Sequence, residues 1–377
     1  MRSIFSILFL SFCFIITCRN NNTPEPGGPP QILQIYKDTS ATNFFRRTAG
    51  WIAGDGAYSI PLRNQQILWL FGDSYIDNYD PITQTVPCLF QVNNAGILNT
   101  SPGWNTSVTL LGNQTGIKSY FKIFPDASGK KFWPGSGYLY GDTVYVYLEG
   151  IQLTGTGSLG FTVTGQNYIA KIKYPEMTVG SFSLLPFMDS VFFGNGMIRD
   201  DSGNWMYAYG VKNRGLGSDV YLARFDIALP WRNWQFWNGS GWSINQGDKK
   251  TVASGYSNSV DVSRVKNKYL LLSSTFSVGC DQGHEVHSMV ADVPQGPFTN
   301  DKTLFDITDN LQGHIPFFYF PKSHPEYINN NNELLVTYCI NGYAPCVTNC
   351  VNNSRNPDTY RPRALRIPLS LIDDRLR

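Results

Sequence analysis

The feature that most constrains the fold of this chain is a pattern that recurs five times between residue 31 and the C-terminus. Each time, a small or polar cluster precedes a strand-like segment, a polar turn and an aromatic or apolar run. The clusters are AGDGA at Ala53, WPGSG at Trp133, FGNGM at Phe193, YSNSV at Tyr256 and QGHIP at Gln312. The runs that follow are ILWLFGD, TVYVYLEG, NWMYAYGV, YLLLSST and LLVTYCIN. Short alternating strands without an amphipathic helix between them predict an all-β repeat architecture.

The spacing of the clusters indicates how many strands each unit holds. Successive clusters lie about 60 to 80 residues apart, which exceeds the roughly 40–50 residues of compact blades and accommodates four strands with long loops. We therefore predict an all-β fold for residues 31–377, a five-bladed β-propeller of mostly four-stranded blades. The terminal segments QILQIYK and RALRIPLSL are candidates to complete the last sheet. A β-sandwich with a smaller β domain is the alternative.

The first 30 residues have the pattern of a targeting segment and not of a folded element. Arg2 precedes the apolar run IFSILFLSFCFII, which is too short to span a bilayer and ends in a box that resembles a lipoprotein cleavage site. We predict a signal peptide over residues 1–17, a lipid anchor on Cys18 and a Pro/Gly/Asn-rich tether over residues 18–30. The domain would then face the periplasm or the cell surface of a bacterial envelope. An ordinary signal peptide is the alternative.

Composition restricts the classes of partner. Charged residues make up 15% of the chain, below the roughly 25% of typical soluble domains, and the net charge is +2 without basic runs. We therefore expect no nucleic-acid partner. A polar surface rich in aromatic and hydroxyl side chains suits a polysaccharide, and we expect a monomer. No motif indicates a cofactor, and the question of a structural calcium ion stays open.

Five cysteines follow the tether: Cys88, Cys280, Cys339, Cys346 and Cys350. In an oxidising compartment, the segment CINGYAPCVTNC predicts a local disulfide and leaves an odd thiol elsewhere. The nearby sequence offers no fourth ligand for zinc. We therefore predict a structural disulfide and no metal ligands.

The first unit places two aspartates at the ends of one predicted hairpin. Asp55 precedes AYSIPL, RNQQ forms the turn and Asp73 ends ILWLFGD. The midpoint of positions 55 and 73 is residue 64, inside the turn, so the two side chains should be opposed, with Cβ atoms ~4.5–5.5 Å apart. A retaining glycosidase needs two carboxyl groups ~5–5.5 Å apart, and such a pair raises one pKa. Local turn chemistry is the alternative, and a one-residue slip would separate the pair.

Equivalent positions in the other units supply further candidates. Glu149 ends the matching strand of the second unit, and we predict it as a third, supporting carboxylate, with a strand-capping surface residue as the alternative. The candidates for substrate binding are Trp51, Asn195, Asn258, Asp261, His314 and Asn341. Aromatic rings stack on sugars, but most aromatic residues of a propeller belong to its core.

Three motifs resemble a bacterial secreted family catalogued as domain of unknown function 4185, with its relative 5005. They are DGAYSIPL…ILWLFGDS, FPKSHPE…NELLVTYCIN and YRPRALRIPL, and the resemblance covers roughly residues 48–369. Members have been assigned as endo-D-arabinanases of glycoside hydrolase family 183. The resemblance implies a five-bladed propeller, hydrolysis of furanosidic arabinan, and catalytic positions at Asp55 and Asp73. In the fourth unit the family pattern is acidic and looks like sEfSV. Here the segment NSVDVSR departs from that pattern, and its acidic residue is Asp261.

These observations lead to one function and one alternative. The chain is expected to be a lipid-anchored glycoside hydrolase that cleaves an arabinose-containing polysaccharide through Asp55 and Asp73, supported by Glu149. The shape is also similar to arabinanase-type propellers, which use three carboxylates, although that analogy concerns the fold. The alternative is a non-catalytic glycan-binding or scaffold propeller that holds a sugar at the same rim.

Overall fold

The computed structural model describes residues 33–100, 103–112, 115–155, 160–342, 347 and 349–377, and strands dominate this part of the chain. In chain order they begin with β1 (Tyr36–Lys37), β2 (Trp51–Gly54), β3 (Tyr58–Pro61), β4 (Ile67–Phe71), β5 (Ser74–Ile76), β6 (Val86–Pro87), β7 (Ala95–Asn99), β8 (Ser107–Leu110), β9 (Lys130–Tyr140), β10 (Thr143–Leu153), β11 (Phe161–Lys173), β12 (Thr178–Leu184) and β13 (Phe192–Arg199). They continue with β14 (Trp205–Arg214), β15 (Gly217–Asp226), β16 (Gln235–Trp237), β17 (Trp242–Ser243), β18 (Thr251–Gly255), β19 (Val260–Val265), β20 (Lys268–Ser274), β21 (Glu285–Ala291), β22 (Thr299–Asp306), β23 (Phe317–His324), β24 (Glu333–Asn341), β25 (Ser354–Arg355) and β26 (Pro362–Pro368).

Within the described residues, helical structure is confined to short segments. The α-helices are α1 (Thr39–Phe44) and α2 (Leu369–Ile372). The 3₁₀ turns are Arg63–Gln65, Asp126–Ser128, Gln246–Asp248, Pro325–Tyr327, Pro357–Tyr360 and Asp374–Leu376. The sequence pattern did not predict α1, which is too short for a helical period and is set by its N-cap, where the Asp38 carboxylate accepts from the Ala41 N–H.

Five of the antiparallel sheets match the five predicted units, so the five-bladed propeller is confirmed. Two further sheets have two strands each, β2 with β5 and β6 with β25. Blade 1 is β3-β4-β7-β8, blade 2 is β9-β10-β11-β12 and blade 4 is β19-β20-β21-β22. Blade 3 follows the order β13-β14-β15-β16-β17 and adds β18, which pairs with β15. Blade 5 is β23-β24-β26-β1, and blade 3 alone among the described sheets exceeds four strands.

The ring closes through the two terminal segments, as predicted. In blade 5, β1 pairs with β26, with Tyr36 opposite Arg366. The Arg366 guanidinium donates to the Asp38 carboxylate at 2.7 Å and ties this closure to α1. The N-terminal strand β1 therefore completes blade 5 as its fourth strand, next to the C-terminal strand β26.

The hydrophobic core lies between the blades. Each of five buried clusters draws side chains from two neighbouring sheets, because both faces of a propeller blade pack against the next blade. Leu70 of blade 1, for example, shares a cluster with Val146 of blade 2. The aromatic and β-branched runs of the sequence fill these interfaces.

The inner strands β3, β9, β13, β19 and β23 contact one another in sequence around the axis. Crowding there requires glycine: a Cβ on Gly135 would lie 2.9 Å from Gly194 Cα, so the WPGSG and FGNGM clusters meet backbone to backbone. The fifth cluster, QGHIP, directly precedes β23, as predicted, and a register shift inside that strand lies between Tyr319 and Lys322.

The cysteine prediction was wrong in its pairing. Cys350 forms a disulfide with Cys88, 262 positions earlier, and Cys339 is a buried free thiol. The long-range bridge forms because β25 pairs with β6, with Arg355 opposite Val86, and brings two distant loops together. Cys346 lies outside the described residues.

The predicted signal peptide (1–17), the Cys18 anchor and the tether (18–30) also lie outside the described residues. Within the part of the chain that the structure describes, no helix has the length and apolar character needed to cross a membrane.

Candidate active site

Three predicted carboxyl groups lie at the same end of the propeller axis. Asp55 precedes the inner strand β3, Asp73 follows β4, and Glu149 lies on the second half of β10. The inner strands run parallel around the axis, and each antiparallel neighbour returns to the end where its inner strand begins. Asp55, Asp73 and Glu149 therefore share one end, which we call the carboxyl mouth. All three side chains are half-buried and keep accessible surface.

The predicted register of the first hairpin is confirmed. Tyr58 pairs with Leu70 in the β3–β4 ladder, and Gly54 pairs with Ser74 in the β2–β5 ladder. Both ladders have the same register, so Asp55 is opposite Asp73. The Gly72 N–H donates to the Asp55 carbonyl at 2.9 Å between the two ladders.

Two tyrosines hold the Asp55 carboxylate. The hydroxyls of Tyr319 and Tyr360 donate to Asp55 Oδ2 at 2.7 and 2.9 Å. Oδ1 lies over Gly72, where a Cβ would approach it to 2.6 Å. Burial raises the pKa of Asp55, and the two hydroxyl donors act against that rise because they favour the ionised form.

Asp73 is held by an amide and an indole. Asn93 Nδ2 and Trp133 Nε1 donate to Asp73 Oδ1 at 2.8 and 3.2 Å. Burial raises the pKa of Asp73 to about 7, and the charge of Asp55 adds to the rise. The nearby charge of Asp55 therefore raises the pKa of Asp73, as expected for two facing carboxyl groups. Near neutral pH, Asp73 carries a proton for a substantial part of the time.

Glu149 belongs to a row of three opposed residues in blade 2. Trp133 on β9 and Asn167 on β11 are its partners on either side. Burial raises the pKa of Glu149 to about 7. Because the Trp133 indole donates to Asp73, this row connects Glu149 to the aspartate pair of blade 1.

In the part of the chain that the structure describes, no basic side chain compensates these carboxyl groups. Among the described residues, the causes of their pKa shifts include burial, hydrogen bonds and the charge of another aspartate, but no lysine, arginine or histidine. Buried carboxyl groups without a cation stay protonated to higher pH, a property typical of catalytic acids. The carboxyl mouth can therefore supply both a proton donor and a carboxylate.

The other predicted site residues do not all reach this mouth. Asn341 ends β24 at the same end of the axis, and Arg355 donates to its Oδ1 at 3.4 Å. Asn258 is exposed in the loop before β19. Asn195 is 3% exposed, and its amide donates to the Phe192 carbonyl, so it supports the backbone of β13 and does not present its amide to a substrate.

Of the remaining candidates, one is buried in the core, one lies in the loop before an inner strand and one lies inside the channel. Trp51 is fully buried between Phe45 and Phe71, so its ring cannot stack on a sugar. His314 lies in the loop before β23, where it pairs with Asp281 at 2.6 Å. Asp261 is 6% exposed and forms an ion pair inside the channel.

Several contacts of the site were not predicted from the sequence. Tyr319, Tyr360 and Asn93 bond to the aspartates from positions outside the first hairpin, and only closure of the ring brings Tyr319 and Tyr360 to Asp55. Tyr360 opens the YRPRALRIPL motif, which was the one available signal. Trp133 was predicted only as the first residue of the WPGSG cluster.

A second polar region occupies the other half of the channel. It is a cavity of about 360 Å³ with lining residues from all five inner strands. We call it the ion-pair cavity, and its polar groups include Ser59, Asp261, Lys322, Ser323, His324 and Glu326. None of the three carboxyl groups of the mouth lines it.

Its groups are largely paired with one another. Lys322 Nζ lies 3.5 Å from Asp261 Oδ1, and the Ser323 N–H donates to Asp261 Oδ2 at 3.0 Å. His324 Nδ1 lies 2.6 Å from Ser59 Oγ, and burial lowers the pKa of His324 to about 3. Burial also raises the pKa of Glu326 to about 7. Within the described ranges, no three His, Cys, Asp or Glu side chains form a metal-binding group.

A family model matches most of the chain. The family described as Domain of unknown function (DUF5005) matches residues 38–368. No curated protein matches the chain.

Solved structures are similar to this chain to different degrees. A candidate hydrolase from Bacteroides ovatus ATCC 8483 superposes with a TM-score of 0.70 at 19% identity, over 90% of this chain and 92% of that chain. The α-L-arabinofuranosidase from Lactobacillus brevis gives a TM-score of 0.47 at 11% identity, over 82% and 88% of the two chains. An exo-1,5-α-L-arabinanase from a bovine ruminal metagenomic library gives 0.45 at 10% identity, over 84% and 93%. The similarity to the first of these is one of fold.

Proposed function

We propose that this chain, which belongs to the DUF5005 family, is a glycoside hydrolase. The observation that carries the proposal is the carboxyl mouth, where Asp55, Asp73 and Glu149 lie at one end of the axis and no described cation contributes to their pKa shifts. Glycosidic cleavage needs a carboxylic acid and a carboxylate on either side of one bond. The Bacteroides ovatus protein with the same fold carries the description of a hydrolase, which supports the proposal.

In the proposed reaction, Asp55 is the ionised carboxylate. The hydroxyls of Tyr319 and Tyr360 stabilise its negative charge at Oδ2. Asp55 and Asp73 lie at facing positions in the bends that join the two ladders, and the charge of Asp55 acts on Asp73. This proximity favours the short carboxyl separation of a retaining enzyme. Asp55 would attack the anomeric carbon and form a glycosyl ester while the bond to the leaving sugar breaks.

Asp73 is the proposed acid. Its Oδ1 accepts from Asn93 and Trp133, so the proton resides on Oδ2. That proton passes to the glycosidic oxygen as the C–O bond breaks. The Asp73 carboxylate then takes a proton from the water that hydrolyses the ester and returns to its starting state. Glu149 is the third, supporting carboxyl group.

We propose an arabinose-containing polysaccharide as the substrate class, because the motifs around Asp55, Asp73 and Tyr360 resemble those of endo-D-arabinanases. Beside Asp73, Trp133 and Phe161 form an aromatic pair with ring centroids 4.5 Å apart, suited to contact with a sugar ring. A lipid on Cys18 would hold the monomeric enzyme at the bacterial envelope, facing the periplasm or the cell surface.

The test is release of oligosaccharides from D-arabinan and L-arabinan by the purified chain. We expect release from at least one of them, and a loss of about 10³-fold or more for Asp55→Asn and Asp73→Asn, as for other essential catalytic groups. Asp142→Asn is the matched control, because the Asp142 side chain is 76% exposed and pairs only with Arg63 among the described ion pairs.

Unchanged release by Asp73→Asn would remove Asp73 from the mechanism. Binding of arabinan by the unmodified chain without any release would favour the non-catalytic glycan-binding propeller.

Activated aryl arabinofuranosides separate the roles of the carboxyl groups. A good leaving group needs no proton, so Asp73→Asn should still form the ester, and added azide should then restore turnover as a glycosyl azide of retained configuration. Asp55→Asn should fail on every substrate. If Glu149→Gln shows the azide-rescued pattern and Asp73→Asn does not, Glu149 is the acid.

A further inference from the structure

A buried side chain beside Glu149 has an unused hydrogen-bond acceptor. Asn167 on β11 is directly opposite Glu149 in the β10–β11 ladder, so the two side chains share a face, with Cβ atoms ~4.5–5.5 Å apart. Asn167 is 4% exposed, and its Oδ1 has no hydrogen-bond partner among the described residues. Buried acceptors without a donor are rare in folded proteins.

The groups around Glu149 leave Asn167 as the acceptor in its row. Trp133, on the other side of Glu149, offers only an N–H and donates it to Asp73. The hydroxyls of Tyr58 and Tyr147 are sensitive to the Glu149 charge, and burial raises the pKa of each, so both keep their protons. Among the described residues, neither hydroxyl donates a hydrogen bond to Glu149, so neither stabilises its ionised form in the way that Tyr319 and Tyr360 stabilise Asp55.

We propose, on the basis of the proposed function, that Asn167 is a positioning residue whose Oδ1 accepts a hydrogen bond from the protonated carboxyl group of Glu149. This bond satisfies the buried amide oxygen and fixes the orientation of the glutamate. It also favours the neutral form, so the mouth carries the charge of Asp55 without a second charge from blade 2. Asn167 would thereby raise the pH at which Glu149 ionises and begins to repel the Asp55 carboxylate.

The test follows the Glu149 side-chain carboxyl carbon by NMR as a function of pH. Asn167→Leu removes the acceptor and admits no water, and we expect the titration midpoint of Glu149 to fall by about 0.4–1 pH unit, the effect of one hydrogen bond. If Asn167 only fills space, the more apolar leucine leaves the midpoint unchanged or raises it. Either of those results overturns the proposal.

Asn99 provides a matched control. It is 1% exposed and its Oδ1 also lacks a partner in the described structure, but the residues opposite it are Ile67 and Ser107. Asn99→Leu should leave the Glu149 midpoint where it is. In the unsubstituted chain, the Asn167 side-chain carbonyl carbon should titrate with the same midpoint as Glu149, and the Asn99 carbon should not. An Asn167 carbon that does not respond overturns the proposal without any variant.

Activity gives a second readout. In Asn167→Leu, the basic limb of the kcat/KM profile should move to lower pH, and kcat should fall while KM stays constant. The NMR midpoint does not depend on turnover. If the chain cleaves no glycan, the proposed function fails while the Asn167–Glu149 bond is still decided by the titration.

Discussion

Buried acidic side chains have different partners in the two halves of the axial channel. In the ion-pair cavity, Asp261 has the Lys322 ammonium at 3.5 Å and the Ser323 N–H at 3.0 Å. In the carboxyl mouth, Asp55 and Asp73 are opposed, and their described partners are hydroxyl, amide and indole donors. The same ring of inner strands therefore supports a compensated charge at one end and uncompensated carboxyl groups at the other.

This difference distinguishes a buried acid with a structural role from buried acids with a catalytic role. A buried ion pair holds its partners in place, and loss of one partner is costly. Carboxyl groups that lack a cation destabilise the fold once they ionise, so a stable protein keeps them only where they are used. Glu326 is the exception inside the cavity, because burial raises its pKa to about 7 as well. The ion-pair cavity is therefore the alternative to the carboxyl mouth as the site of the reaction.

The largest expected effect comes from breaking the compensated end. Lys322→Met leaves Asp261 buried without its cation and should lower the free energy of unfolding by about 3–5 kcal/mol. Urea denaturation measures this. The double variant Lys322→Met/Asp261→Asn should recover most of the loss, because no unpaired charge stays behind. Equal stabilities of the single variant and the parent would contradict the compensation argument.

A smaller effect is expected from crowding the uncompensated end. Gly72→Ala places a Cβ where Asp55 Oδ1 now lies, at 2.6 Å, and should turn the carboxylate away from Asp73. Misplacement by about 1 Å costs roughly 100-fold in rate, so kcat/KM should fall by that factor. Gly241→Ala is the control, because a Cβ there meets nothing within 4 Å. Unaltered kinetics of Gly72→Ala would show that the position of Asp55 is not critical.

The ionisation of Asp73 should cost stability. Its pKa in the folded chain is about 7, above the ordinary 3.8, so its contribution to stability is complete below pH 4 and is lost as pH rises through 7. Asp73→Asn should therefore raise the free energy of unfolding at pH 8 by about 1–3 kcal/mol, discounted for contact with solvent, and change it little at pH 4. Denaturation at both pH values measures the difference. Destabilisation at pH 8 would contradict the account.

The smallest expected effect concerns the donors to Asp55. Tyr360→Phe removes one of two hydroxyls that favour the ionised carboxylate, so the pKa of Asp55 should rise. The acidic limb of kcat/KM should move to higher pH by about one unit or less. Tyr140→Phe, at an exposed ring, serves as the control. A shift to lower pH would mean that Tyr360 does not stabilise the charged form.

The sequence was sufficient where the relevant contacts are local or repeated. The midpoint of Asp55 and Asp73 predicted their opposition because a hairpin register depends only on its own turn. The five apolar runs predicted the blades, and the terminal segments predicted the closure between β1 and β26. Glu149 followed from its equivalence to Asp73 at a strand end.

The sequence was insufficient where contacts join distant segments. Tyr319 and Tyr360 lie 264 and 305 positions from Asp55, and Cys88 reaches Cys350 through pairing of two loops. Trp51 appeared to be a stacking residue because aromatic content does not distinguish a rim from an inter-blade core.

Covalent labelling tests most directly which end of the channel performs the chemistry. An aryl 2-deoxy-2-fluoroarabinofuranoside should form a glycosyl ester that hydrolyses slowly, and mass spectrometry of the digested protein locates it. The account predicts one adduct, on the peptide that contains Asp55, and no adduct in Asp55→Asn. An adduct on Asp261 or Glu326, or turnover with inverted configuration and no adduct, would contradict it.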